Sequence, residues 1–525
     1  MKVLVSDNLS QKGIDILKKA GLDVDVKTGM KPEELKECIG QYHGLIIRSA
    51  TKVTPEIIDA ATNLKVIGRA GSGLDNVDRV AATKKGIVVM NTPGGNTITT
   101  AEHTIALMVS LARKIPQATM SMKEGKWEKK KFMGVELYNK TLGIVGIGNI
   151  GSQVAKRMQA FGMNIIAFDP FLNEEKAKIM GVEKVDLQTL FKRSDFITLH
   201  TPLTPETRGM INKDSIKIMK NGVRIINCAR GGIVNEKDLY DAIIEGKVAG
   251  AALDVLEKEP PENNPLIALE QVICTPHLGA STNEAQENVA VAVAEQIVDY
   301  LLKGIIRNAV NFPSIPSDQI AILQPYIDLA EKLGSFAAQI NEGAVSEIKI
   351  EYQGDACTIN SAPVTIAALK GFLSPILEET VNFVNAPYIA KERGIEVKEI
   401  KSSEPGDYQS LIGLRLQTKN KTLYIAGTLL SKKDPRIIMI DDFKVEIVPE
   451  GNLLFMYNND KPGVIGNIGT LLGKNNINIA RMHFGRETQG GLAISVVSID
   501  TPATENIVNK IKKLPNILSV KQISL

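Results

Sequence analysis

Three glycines and one acid carry the most specific chemistry in this 525-residue sequence. Gly146-Ile147-Gly148-Asn149-Ile150-Gly151 spells GxGxxG between an apolar run, LGIV, and a helical stretch, SQVAKRMQAFG. A second apolar run, NIIAFD, ends at Asp169, 18 residues beyond Gly151. Strand, glycine turn, helix, strand and acid make up the full dinucleotide-binding fingerprint. Gly146 permits the tight turn, Gly148 lets backbone N–H groups approach a pyrophosphate at the helix N-terminus, and Gly151 lets the helix pack close to the strand. Asp169 can accept hydrogen bonds from both ribose hydroxyls and would repel a 2′-phosphate, so NAD is expected rather than NADP.

Ligands of open parallel sheets bind beyond the carboxyl ends of the strands. Strand ends in the same half of the chain as the fingerprint are Asn149, Asp169, His200-Thr201-Pro202, Cys228-Ala229-Arg230, Asp254 and Thr275-Pro276-His277. Earlier in the chain they are Arg48-Ser49, Arg69-Ala70 and Asn91-Thr92. A hydride acceptor beside these residues points to alcohol oxidation. That chemistry needs a base for the hydroxyl proton and a cation for an acidic substrate and the developing carbonyl. Histidine suits the base, and of the five present only His200 and His277 stand at strand ends. The residues alone do not choose between them, nor among Glu257, Glu259 and Glu262 in the acidic loop EKEPPE.

The elements that must position these groups follow from periodicity. KVLVSD, DVDVKT, GLIIRSA, LKVIGRA and IVVMNT alternate with helical stretches over residues 1–92, and LGIVGIG, NIIAFD, FITLHTP, RIINCARG, GAALDV and VICTPH do so from about 140 to 277. Such alternation predicts two doubly wound parallel-sheet α/β lobes. TITTAEHTIALMVSLARKI, capped by a Thr or Asn before it, and STNEAQENVAVAVAEQIVDYLLKG read as long helices joining the lobes across a cleft. NFPSIPSD, at 311–318, is a boundary signal. Residues 318–450 mix helical and strand-like runs. LLFMYN, PGVIGNIGTLLGKN, INIARMHFG, LAISVVSID, TENIVNKIKKL and ILSVKQIS then spell a ferredoxin-like βαββαβ unit.

Composition sets outer bounds. At 44% apolar and 23% charged residues with a net charge of +3, the chain is ordinary for a soluble protein, and bulk attraction to nucleic acid or membrane is not expected. Cys38, Cys228, Cys274 and Cys357 form no CxxC pair, so no metal site or disulfide framework is suggested and a reducing cytoplasm fits. No apolar run approaches the ~18 residues of a membrane span.

The sequence resembles the D-isomer-specific 2-hydroxyacid dehydrogenases, in their long form, over essentially its whole length. GRAGSGLDNVD, MNTPGGNT, TLGIVGIGNIG, DFITLHTPLTPET, NCARGGIVNE, GAALDV, EKEPP and TPHLGAST carry the resemblance. It implies that the catalytic arginine is Arg230, the glutamate Glu259 and the acid/base histidine His277. It further implies cofactor contacts from Ser72, Gly146, Gly148, Asn149, Ile150, Gly151, Asp169, Thr201, Cys228, Ala229, Arg230, Asp254, His277, Gly279 and Ala280. Substrate contacts would come from Arg48, Arg69, Arg230 and His277. The implied reaction is NAD-dependent oxidation of 3-phosphoglycerate, the entry to serine synthesis. Reduction of glyoxylate, hydroxypyruvate or 2-oxoglutarate, or a role as an NAD-sensing corepressor, are the alternatives.

The C-terminal unit resembles an ACT domain, which binds amino acids at a dimer interface. Its first loop holds Asn458, Asp460, Pro462 and Gly463, with Pro462 expected in the first helical turn, and Asn476 and Asn478 open the next strand. The resemblance implies an L-serine effector at Asn458, Asp460 and Asn478, and a homodimer or homotetramer. It places Trp127 and its basic neighbours at a dimer contact. The expected division is a substrate lobe (1–97 plus 285–313), an NAD-binding domain (98–284), an intervening α+β domain (314–450) and the ACT unit (451–525).

Overall fold

The computed structural model describes residues 1–313, 319–377, 381–404 and 406–525, so most of the boundary signal at 311–318 lies outside the described residues. The first lobe is a parallel sheet of Lys2–Val5, Asp23–Val26, Gly44–Ile47, Val66–Arg69 and Val88–Asn91, in spatial order second, first, third, fourth, fifth. Gly44–Ile47 is apolar throughout, and Val66–Arg69 and Val88–Asn91 are apolar up to their polar last residues, because helices cover both faces. The second lobe is a seven-stranded parallel sheet. It contains the six expected strands, Thr141–Val145, Asn164–Phe168, Phe196–Leu199, Val223–Asn227, Val248–Leu253 and Val272–Cys274. A seventh, Glu183–Lys184, is exposed and only two residues long, too short to leave a periodic signal. Strand order reverses between Thr141–Val145 and Phe196–Leu199, which opens the crevice at the ends of those two strands.

Thr97–Arg113 is the first long helix. It stops at Lys114, which adopts a left-handed φ of 53°, and a second helix, Ile115–Lys123, continues with Pro116 in its first turn. Asn96 stands at the cap position, but its side chain does not bond the helix N–H groups; it turns instead to Ser72 and Thr100. The other long helix, Asn283–Lys303, is capped by Thr282 and returns to the first lobe. There Val289, Ala290, Val293, Ala294 and Ile297 share one core with Val3, Val5, Val66 and Val88.

The rest of the chain forms two more sheets. A six-stranded mixed sheet runs through Val345–Gly354, Glu396–Ser402, Ser410–Thr418, Thr422–Leu430, Asp434–Ile440 and Phe443–Ile447, packed under helices Ile320–Ile340 and Ser361–Leu377. The βαββαβ unit follows as expected, with an antiparallel sheet of Asn452–Asn459, Ile479–Arg486, Leu492–Ile499 and Ile517–Ser524 in order second, third, first, fourth. Alternation along Asn452–Asn459 splits its side chains between two cores. Leu454 and Met456 lie under the unit's own helices with Ile468, Leu472, Ile507 and Ile511. Leu453 and Phe455 join Leu333, Phe336, Ile340, Ile437 and Phe443 of the preceding domain, with the Phe336 and Phe455 rings edge to face at 6.0 Å. These two sheets therefore share a core.

That body grips the first lobe through residues 382–384. Asn382 donates to the Gly86 carbonyl at 2.9 Å, Phe383 meets Phe312 edge to face, and Val384 is buried in the first-lobe core. Among the described residues no helix is long and apolar enough to cross a membrane.

Because Phe455 belongs to a core built by both sheets, Phe455→Ala is expected to cost about 3–5 kcal/mol. In chemical denaturation of the full chain, the intervening sheet and the βαββαβ unit should lose that stability together.

Candidate active site

The glycine turn is built as its spacing demands. Gly146 has φ 89°, and a Cβ there would stand 2.6 Å from the His200 carbonyl oxygen. A Cβ on Gly151 would collide with the Gly146 carbonyl, whereas one on Gly148 would meet nothing within 4 Å. Helix Asn149–Ala160 starts at this turn, so its free N–H groups lie at the crevice. Asp169 sits beside it: Oδ2 accepts from the Ile147 N–H at 3.0 Å and Oδ1 from the Phe171 N–H at 2.8 Å. Each oxygen keeps a lone pair for another donor. Thr201 Oγ1 and His200 Nδ1, at the end of the neighbouring strand, are buried without a hydrogen-bond partner. The open face of Gly148, the unpaired Thr201 hydroxyl and the half-buried Asp169 carboxylate fit a dinucleotide. Cys228 is buried, and burial pushes its thiol up to about 12, so it stays protonated and can offer a ligand only its backbone.

Burial decides between the two histidines. His200 is enclosed, its Nε2 bonds Thr198 Oγ1 at 3.0 Å, and loss of solvent lowers its pKa to about 4. With its pKa lowered and Nδ1 buried, it is a poor base at neutral pH. His277 is half-exposed, and its Nδ1 lies 2.7 Å from Glu259 Oε2. Glu259 Oε1 accepts from the Leu256 N–H at 3.1 Å. The other two acids of the loop do not bond His277: Glu262 pairs with Lys258, and the Glu257 backbone N–H donates to Glu236. The bond to Glu259 raises the His277 pKa, and this outweighs burial and the repulsion of Arg230, which act to lower it. For Glu259, burial pushes the carboxyl up, but the bonds from His277 and the Leu256 N–H prevail and hold it low.

His277 has a left-handed φ of 55°, and Asp254 holds it there. The Asp254 carbonyl accepts from the His277 N–H at 2.9 Å. Its carboxylate, only 2% exposed, collects the Leu278 N–H at 2.7 Å, the Gly279 N–H at 2.8 Å and the Thr275 hydroxyl at 2.6 Å, with His103 Nε2 at 3.1 Å. Burial would raise this carboxyl; the donors from His103, Thr275 and Leu278 overcome it and keep Asp254 ionised. Thr100 Oγ1 donates to the Gly279 carbonyl at 2.8 Å, and Ser72 Oγ donates to Asn96 on the same helix at 2.9 Å. Sequence reasoning set His103 aside as a histidine inside a helix and left Thr100 unremarked. Their signal is the spacing Asn96, Thr100, His103, which puts three polar side chains on one helix face.

Arg230 reaches across to the first lobe, its Nε 3.0 Å from Asp75 Oδ2 while Nη1 donates to the Ala229 carbonyl at 2.7 Å. Arg69 lies in the same corner. Burial first, then the neighbouring Arg230, lowers its pKa to about 10, so it is still a cation at neutral pH. Arg48 is anchored by its backbone N–H to Asp7 and by Nη1 to the Asn8 carbonyl.

The C-terminal unit does not gather its three expected effector residues within one chain. Asn458 is buried with Oδ1 on the Ser495 hydroxyl at 2.7 Å, and Asp460 is bonded to Arg486 and the Gly490 N–H. Asn478 donates to Asp500 at 2.8 Å. The register pairs Asn459 with Leu492 but Ile479 with Ile499, so Asn478 lies at the opposite end of the sheet. The intervening seven-residue step spans about 23 Å. Pro462 also differs from expectation: helix Val464–Lys474 begins after Gly463, so Pro462 precedes its first turn. Trp127 is exposed.

Comparison with known proteins agrees with this architecture. Residues 105–279 match the NAD binding domain of the D-isomer specific 2-hydroxyacid dehydrogenases, 322–441 the D-3-phosphoglycerate dehydrogenase intervening domain, and 452–516 the ACT domain. Proteins named D-3-phosphoglycerate dehydrogenase from Archaeoglobus fulgidus and Methanocaldococcus jannaschii are 49% and 47% identical to this chain, each over 100% of both sequences. The chain belongs to the D-isomer specific 2-hydroxyacid dehydrogenase family, in its D-3-phosphoglycerate dehydrogenase branch. As a 2-hydroxyacid dehydrogenase it is an NAD-dependent oxidoreductase. Among solved structures, the Aquifex aeolicus D-lactate dehydrogenase complexed with NAD and lactic acid matches with a TM-score of 0.54 at 28% identity, covering 60% of this chain and 100% of that one. The Thermus thermophilus TT0316 protein matches with a TM-score of 0.55 at 36% identity, covering 59% and 100%.

A dehydrogenase with this dyad should show it in its pH dependence. Alcohol oxidation needs neutral His277 and so rises with pH through the His277 pKa; ketone reduction needs the imidazolium and falls through it. Glu259 raises that pKa. Glu259→Gln is therefore expected to move both midpoints of kcat/KM to lower pH, together with a loss of rate.

Proposed function

We propose that this dehydrogenase oxidises D-3-phosphoglycerate at C2 to 3-phosphohydroxypyruvate, the first step of phosphorylated L-serine biosynthesis. The observation that carries the chemistry is the half-exposed His277 imidazole, anchored at Nδ1 by Glu259 and within electrostatic reach of Arg230. The substrate reading is supported by the D-3-phosphoglycerate dehydrogenase name of relatives matched from end to end. It also rests on the cations Arg48 and Arg69 in the first lobe.

The Glu259 bond puts the proton of neutral His277 on Nδ1 and leaves Nε2 as the base for the C2 hydroxyl proton. Arg230 pairs with the substrate carboxylate and polarises the C2 oxygen as it becomes a carbonyl. Glu259 stabilises the imidazolium that forms. Bound NAD supplies the hydride acceptor. Gly146, Gly148, Asn149, Ile150, Gly151 and Asp169 would hold its pyrophosphate and ribose, while Ser72, Thr201, Cys228, Ala229, Asp254, Gly279 and Ala280 line the path toward the reacting carbon. Arg48 and Arg69 would take the phosphate.

In this reading the units divide at 97/98, 284/285, 313/314 and 450/451, and the enzyme works in the cytoplasm as a homodimer or homotetramer. L-serine is its effector. Asn458 and Asp460 stand at one end of the sheet and Asn478 at the other, so a complete effector site needs a second copy of the chain.

Purified protein should consume NADH with phosphohydroxypyruvate, and L-serine should slow it; no phosphohydroxypyruvate-dependent change in NADH absorbance overturns the proposal. His277→Ala should lose about 10²-fold or more of turnover while NADH binding stays nearly intact, as measured by fluorescence titration. Asp169→Ala should narrow the preference for NAD over NADP in paired kcat/KM measurements.

A further inference from the structure

Asn76 has no part in the chemistry above, yet its side chain joins the two first-lobe cations. It lies between strand Val66–Arg69 and helix Arg79–Lys84. Its Oδ1 accepts from Arg69 Nε at 3.1 Å. Its Nδ2 donates to the Arg48 carbonyl at 2.6 Å and to the Thr51 carbonyl at 2.6 Å. Its own carbonyl accepts from the Val53 N–H at 2.8 Å.

Both amide protons and the amide oxygen are therefore engaged, and only one orientation satisfies them. Rotated by half a turn, the carboxamide would set N–H against the Arg69 guanidinium and oxygen against two carbonyls. Asp7 secures the same loop from the opposite side, its carboxylate accepting from the Arg48 N–H at 2.5 Å and from the Thr51 N–H and hydroxyl. Arg48 and Arg69 stand at the ends of neighbouring paired strands, whose ladder sets their backbones; Asn76 adds a tie from the Arg69 side chain to the Arg48 loop. With Nε committed to Asn76, Arg69 presents its terminal nitrogens, and a cation pair at fixed spacing suits a dianionic tetrahedral group.

We propose that Asn76 is a positioning residue that sets the Arg48–Arg69 pair and thereby gives the enzyme its selectivity for phosphorylated substrates. The proposal rests on the reading that these two arginines take the substrate phosphate. An aspartate could not replace it. A carboxylate has no donor for the Arg48 and Thr51 carbonyls and would neutralise Arg69.

The test is steady-state kinetics of the full-length enzyme, comparing phosphohydroxypyruvate with hydroxypyruvate in the wild type, Asn76→Ala and Asn76→Asp. Both variants are expected to lose about 10- to 100-fold in kcat/KM on phosphohydroxypyruvate, carried by KM. Their kcat, their kcat/KM on hydroxypyruvate and their NADH affinity should change by less than about threefold. Asn76→Asp, nearly isosteric, keeps the test valid if Asn76→Ala fails to fold. Equal losses on both substrates would reduce Asn76 to a structural role and overturn the proposal, as would no loss on either. A wild type indifferent to the phosphate would instead sink the reading of Arg48 and Arg69 on which it stands.

Discussion

The active site depends on one buried carboxylate. Asp254 follows the strand Val248–Leu253, next to the edge of the second-lobe sheet, and is almost wholly enclosed, where an unpaired charge would be prohibitive. Its solution is to collect donors: two consecutive backbone N–H groups after His277, the Thr275 hydroxyl and His103. Those bonds curl the chain tightly enough to hold His277 in a left-handed conformation that a histidine does not adopt freely. The imidazole is then turned toward Glu259. Asp254 thus sets the orientation of the base, while its proton affinity is raised chiefly by Glu259.

The lobes are joined by polar contacts as well as by the crossing helices. Ser72 bonds Asn96, Asn96 bonds Thr100, and Thr100 bonds the Gly279 carbonyl, a chain running from a first-lobe loop to the loop that carries His277. Arg230 and Asp75 form a second bridge. The intervening and ACT sheets, fused through the Phe336–Phe455 core, hold the first lobe through Asn382, Phe383 and Val384.

What could be read in the sequence was what is local. GxGxxG and Asp169 are legible because each glycine answers a steric demand within a few residues of itself. The strand ends are legible because strands buried on both faces are apolar runs that stop abruptly. His200 and His277 look alike as strand-end histidines, since only tertiary burial tells them apart. Asn76 ties Arg69, seven residues back, to carbonyls 28 and 25 residues away, and His103 reaches Asp254 151 residues on, and nothing next to them in sequence announces that. Asn458 and Asn478 flank one helix in sequence, but the strand register puts them at opposite ends of the sheet. Residues 318–450 yielded no chemistry; much of the alternation among the described residues there builds a core shared with the next domain.

The most direct measurement is kcat for Asp254→Asn with the NADH dissociation constant measured alongside. An amide can accept from one of the two backbone N–H groups but must face the other with a donor of its own. Losing bonds to a charged acceptor is worth about 1.5–3 kcal/mol each. The account predicts a folded protein whose turnover falls about tenfold or more, with a larger loss in kcat than in NADH affinity. Unchanged turnover would contradict it, because His277 would then be presented without the carboxylate on which its geometry is argued to rest.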